Sequence, residues 1–146
     1  MNRKYLPTFA ELIDRLSIVI LKTIFIPENK DAYEKEQELI MHDIDDILKS
    51  HGNIKREFDT IVINAKMIRA IMIVMLTNRF IWENESKARL GGSEQDKLLK
   101  LTHSINGIRN TAKNVISQEM GERVDLKIDA LAAELTKEFG NWDLFK

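Results

Sequence analysis

Three stretches of the chain carry polar and cationic side chains at one shared spacing. Thr102, Asn106, Arg109 and Lys113 follow one another by four, three and four positions. Asn78, Trp82, Glu85 and Arg89 do the same, and so do Glu11, Arg15, Ile18 and Lys22. On a helix, residues so spaced share a face. Guanidinium groups present paired donors that match phosphate or carboxylate oxygens. Asparagine amides pair with a base, a sugar hydroxyl or a neighbouring helix, and a tryptophan face stacks on a ring. Gly107, which costs about 1 kcal/mol against alanine inside a helix, lets a ligand or a second helix approach the backbone closely. The spacing predicts that Arg15, Lys22, Arg89, Arg109 and Lys113 face a common cationic groove. Asn78, Trp82, Glu85, Asn106 and Asn110 would line it, and Asp14, Glu83 and Glu85 would orient the arginines. The ligand such a groove selects is a small anionic molecule, phosphorylated or nucleotide-like. The competing reading is that the same lines are contacts between helices.

Other chemistry is less well supported by the residues. Glu11 and Asp14 sit three apart, as helical carboxylates that hold magnesium do. The second carboxylate pair such chemistry needs is not evident, because Glu83 and Glu85 fall on different helix faces. His42 and Asp46 are one turn apart within MHDIDDIL, a stretch better read as a solvated acidic face. Gly91-Gly92 lacks the Lys-Ser/Thr that completes a phosphate-binding loop. His51 and His103 have no nucleophile arranged around them. No catalytic residue, metal ligand set or cofactor is therefore assigned.

The elements that must hold these lines are all helical. No period-two strand pattern and no internal repeat occurs. Thr8-Phe9-Ala10-Glu11 is a capping box that opens a first helix over roughly 9–26, ended by Pro27. A second helix runs over about 29–50 and stops near Gly52. A single long helix is predicted over about 54–90, closed by Gly91-Gly92. Ser93 then caps a fourth helix, with Asp96 at its third position, which ends near Met120. A fifth is expected over about 122–139, followed by the aromatic tail NWDLFK, which should dock on the body. The fourth helix has the clearest apolar seam, Leu98, Leu101, Ile105, Ile108, Ala112 and Val115, and the Asn106–Arg109–Lys113 line runs beside it. From Leu16 to Ile26 only Ser17, Lys22 and Thr23 are polar, so the first helix should be buried on several sides. The fold class is an all-α bundle of four to five helices in one domain, 1–146. Its apolar surface exceeds what one small bundle hides. That predicts a homodimer or higher homo-oligomer with the third helix as interface.

Composition sets outer bounds. The chain has 146 residues, 44% hydrophobic and 31% charged, which is globular rather than disordered. A formal net charge of -1 argues against a dedicated nucleic-acid binder, so a cationic site must be local. The absence of cysteine excludes disulfides, thiolate metal sites and cysteine nucleophiles. Neither LSIVILKTIFI nor IVINAKMIRAIMIVML approaches ~20 uninterrupted apolar residues, and the N-terminus has no secretory pattern. A cytoplasmic protein without membrane contact is expected.

Asn78-x3-Trp82-Glu83-x-Glu85-x-x-Ala88-Arg89, then Lys97, then Asn106-x-x-Arg109-Asn110, resembles a bacterial helical domain of unknown function. That domain is found beside glycosyltransferases in surface-polysaccharide gene clusters, and its pattern reads N-x3-W-x-x-E-D-x-A-R, K, N-x-x-R-N. ELIDRLSIVILK, Glu11 to Lys22, is also similar to the opening helix of related short proteins, some of them phage-encoded. The resemblance covers about half of the chain. It departs where the family has adjacent Glu-Asp and this chain has Glu83 and Glu85. It departs again at Thr111 and Lys113, where the family has aspartates. The resemblance implies a helical fold and weight on the same residues. The leading expectation is a non-catalytic protein that binds, and in a phage setting sequesters, a nucleotide-like ligand. A metal-dependent enzyme on a nucleotide or nucleotide-sugar, and a homo-oligomeric scaffold, are the alternatives.

Overall fold

Thr8 starts the first helix as its box predicts. Its hydroxyl accepts the Glu11 N–H at 3.2 Å, and the Glu11 carboxylate accepts the Thr8 N–H at 2.7 Å. The computed structural model describes residues 5–53 and 63–125. Within them lie α1 (Phe9–Phe25), a 3-10 turn (Pro27–Asn29), α2 (Lys30–Asn53), α3 (Ala65–Arg89) and α4 (Gln95–Glu119). No described residue is in a strand, and no helix is long and apolar enough to cross a membrane.

α3 and α4 form the most extensive helix pair, α1 packs against both, and α2 rests on α1. The main core joins Phe9 and Ala10 of α1 with Met67, Ala70, Ile73 and Val74 of α3. Ala112 and Ile116 of α4, with Met120 after it, complete that core. A smaller cluster, Leu12, Val19 and Ile40, seats α2 on α1. α1 is thus covered from two sides, as its nearly unbroken apolar sequence requires. The α4 seam holds at Ile105 and Ala112, which are buried, while Ile108 and Val115 pack against the core half-buried. Thr102, Ser104, Gly107 and Ser117 are buried too. Small side chains here let α4 lie close to its neighbours.

Three boundaries differ from the sequence expectation. The third helix does not run unbroken over 54–90: Ile63 and Asn64 are non-helical, and α3 begins at Ala65. Asn64 is its N-cap, accepting the Met67 N–H at 2.9 Å. Residues 54–62, the rest of that expected helix, lie outside the described residues. α4 begins after Glu94 rather than Ser93, and no side chain caps it. Gly91 and Gly92, at φ +75 and +108, make the turn between α3 and α4. Finally, Glu122 to Asp125 are not helical. α4 ends in a Schellman turn, with Gly121 at φ +66, Glu122 N–H bonded to Ser117 O at 2.9 Å and Gly121 N–H to Gln118 O at 3.1 Å. The turn sends the chain back across the start of α1. The remainder of the expected fifth helix and the NWDLFK tail lie outside the described residues.

Candidate functional site

Where α1, α3 and α4 meet, a polar network replaces apolar packing. Asn78 of α3 is its hub. Its Nδ2 donates to Asp14 Oδ1 at 2.7 Å and to Ser17 Oγ at 2.6 Å, both on α1. Its Oδ1 accepts from Arg109 Nη1 of α4 at 3.0 Å. A carboxylate on one side and a guanidinium on the other fix which way the amide faces. One turn along α4, Lys113 pairs with Asp14 Oδ2 at 3.2 Å. The Asp14 and Lys113 side chains are only 14% and 20% exposed, so solvent screens this pair weakly. Ser17 Oγ donates to the Asp14 carbonyl at 2.8 Å, which aims its lone pairs at Asn78.

Lys113 thus pairs with Asp14 directly, while Arg109 reaches it only through the Asn78 amide. Arg109 Nε is buried and has no hydrogen-bond partner among the described residues. Leaving such a donor unpaired away from water is costly. Beside Lys113 a groove of about 350 Å³ opens between the start of α1, the end of α4 and the 122–125 segment. Thr8, Glu11, Lys113, Asn114, Ser117 and Arg123 are among the residues that line it. Arg123 is itself held by the Leu6 carbonyl at 2.6 Å, by Glu11 at 3.1 Å and over the Tyr5 ring at 3.8 Å. The Glu122 carboxylate accepts the Phe9 N–H at 2.7 Å, placing negative charge at the positive end of α1.

Asn78, Arg109 and Lys113 therefore come together as their spacing predicts, and Asp14 orients them. The other predicted residues do not join them. Arg15 is exposed and pairs with Glu36 of α2, its Nε 2.9 Å from the carboxylate. Lys22 lies over the Tyr33 ring of α2 at 5.7 Å. Their line faces α2, whereas Asp14, one residue earlier and about 100° around the helix, faces α3 and α4. Trp82 is half-buried and stacks on Phe25 with ring centres 6.1 Å apart, so its ring is engaged by the fold. Glu85 and Arg89 are exposed on α3, and Asn106 and Asn110 are half-buried on α4. Thr102 is buried, and its hydroxyl bonds Leu98 O at 2.9 Å.

Ser17 and Asn84 went unassigned from sequence. Ser17, the first polar residue in the apolar run from Leu16, was the available signal. Asn84 is buried on α3 with its Nδ2 unpartnered among the described residues, and its position between two glutamates disguised it. The carboxylates weighed as magnesium ligands are both engaged, Glu11 in the cap and with Arg123, Asp14 in the network. Among the described residues, no three His, Asp or Glu side chains cluster as metal ligands. The arrangement sets Lys113 and Arg123, each paired with a carboxylate, at a polar groove that Glu11 and Asp125 also line. No family model, curated protein or solved structure matches the chain.

Proposed function

We propose that this protein is a non-catalytic binder of a small phosphorylated or nucleotide-like anion, held at the Arg109–Lys113 edge of α4. One observation carries the reading. Lys113 is paired with Asp14, whereas Arg109, one turn before it on α4, has only the neutral Asn78 amide as partner, and its Nε has none among the described residues. An anionic oxygen would supply the missing charge and acceptor together. The groove lined by Lys113 and Arg123, but not by Arg109, falls at the lower end of small-molecule sites, which start near ~300 Å³. The family resemblance stresses Asn78, Arg109 and Asn110, which supports the same place. Titration calorimetry against nucleotides, cyclic nucleotides and nucleotide sugars tests it. Binding by wild type, lost in Lys113→Ala and Arg109→Ala, is expected; a folded wild-type protein that binds none of them overturns it.

A second reading is favoured by Asn78, whose amide is fully used by groups of its own chain. In it the network only joins helices, within a scaffold. Added ligand separates the two, since Arg109→Ala removes the bond to Asn78 in either reading. In a scaffold, nucleotides and nucleotide sugars leave the melting temperature unchanged. At a ligand site, one of them raises it, and Lys113→Ala abolishes the rise.

A further inference from the structure

We infer that two copies of this chain associate antiparallel through the outward face of α3, about a two-fold axis at Leu76. Asn78 and its network look inward; the opposite face of the same helix is apolar. Ile68, Met72, Leu76 and Phe80, each four residues after the last, are 49%, 60%, 68% and 43% exposed. Residues at this spacing form one continuous ridge, here about 18 Å long. Each leaves on the order of 100 Å² uncovered, so the four alone make about 400 Å², the scale at which a patch on a monomer signals contact. Met75 and the stems of Arg69 and Arg79 border it. With them the face nears the ~600 Å² per partner at the low end of specific interfaces.

Self-complementarity selects the occupant. With Leu76 on the axis, a residue faces the partner at an equal distance beyond Leu76. Met72 then meets the partner's Phe80, and the most exposed side chain of the ridge meets its own copy. Arg69 comes on the side of the partner's Glu83, a carboxylate that on its own helix already pairs with Arg79 at 3.6 Å and Lys87 at 3.1 Å. On its own helix Arg69 has Ala65, Lys66, Met72 and Ile73 at the three- and four-residue positions, and so no carboxylate. A closed two-fold contact covers the apolar ridge of both copies at once. Identical ridges of this class cross at about −50°, which leaves contact concentrated around residues 72–80.

The absence of cysteine from the chain makes the test clean. Light scattering of the full chain should give a dimer mass at tens of micromolar. Leu76→Glu should give the monomer mass with unchanged helical circular dichroism, since Leu76 contributes little to its own core. Leu76→Cys should cross-link to a covalent dimer under mild oxidation, as should Met72→Cys mixed with Phe80→Cys. A wild-type chain that stays monomeric at several hundred micromolar overturns the inference and leaves the face to another segment or a different protein. A dimer that persists in Leu76→Glu, or that Leu76→Cys fails to cross-link, overturns it equally. None of these outcomes depends on whether the Lys113 groove binds an anion.

Discussion

Asn78 and Arg15 show how position decides the value of a polar side chain. Asn78 is buried and bonds to three neighbours on two other helices. Truncation to alanine leaves Asp14, Ser17 and Arg109 short of partners in a water-poor setting. Asn78→Ala should therefore cost about 2–3 kcal/mol in urea denaturation. Arg15→Ala breaks only an exposed pair with Glu36 and should change stability by less than about 0.5 kcal/mol. Similar losses for the two would refute the assignment of the network. The sequence could show Asn78, Arg109 and Lys113 together because α4 has a clear apolar seam, and a polar line beside a seam has a known direction. It could not show the phase of α1. A helix apolar nearly all round has no polar side to orient it, so its pattern leaves Arg15 and Asp14 equally eligible; in the fold Arg15 turns to Glu36 of α2 and Asp14 to Asn78 and Lys113. Ser17 was visible as an interruption but has no charge to attract a role.

At the scale of the helix, legibility followed the completeness of the end signal. Thr8 and Glu11 form both halves of a capping box, and α1 begins where they place it. Asn64 carries only half a signal: the third helical position is Met67, which cannot return a bond to the cap. In IVINAKMIRAIMIV such an asparagine reads as a polar gap in one long helix. Its role became visible only with tertiary contact, since Asn64 Nδ2 bonds Glu119 at 2.8 Å and Lys66 pairs with Glu119 at 2.9 Å. That carboxylate ties the start of α3 to the end of α4. The Lys66 hydrogen bond, then that of Asn64, hold its pKa below the ordinary 4.5. The folded state thus binds fewer protons here than the unfolded chain. Its contribution is fully present above about pH 4.5 and is lost as pH falls through the depressed folded value. Glu119→Gln should flatten the fall in melting temperature as pH drops below about 4.5, while leaving the profile at neutral pH parallel to wild type. An unchanged acid limb would show that this contact does not hold the helices.

Across the whole molecule, coverage is uneven, and so should be resistance to opening. α3 and α4 share the longest contact and hold most of the main core, and α1 bridges them to α2. α2 meets only α1 and the turn before it among the described elements, and over residues 30–50 Ile40 is its one buried side chain. Tyr33, Ile44, Ile47 and Leu48 are half-buried, the last three against the edge of the main core. A helix in water without tertiary support is marginal at this length, so α2 depends on that single apolar strip. Its removal would leave the main α1–α3–α4 contacts and the Asp14–Asn78–Arg109–Lys113 network in place, since no member of the network lies on α2. Native-state hydrogen exchange at rising urea should therefore find α2 amides protected least, through a local opening. The α3 and α4 amides around Val74 and Ala112 should exchange only with global unfolding. Ile40→Ala, which removes the strip's one buried anchor, should widen the gap by lowering α2 protection while leaving the slowest α3 and α4 amides where they were. Equal protection in all four helices, or a parallel loss in all four after Ile40→Ala, would show instead that the bundle opens as one cooperative unit.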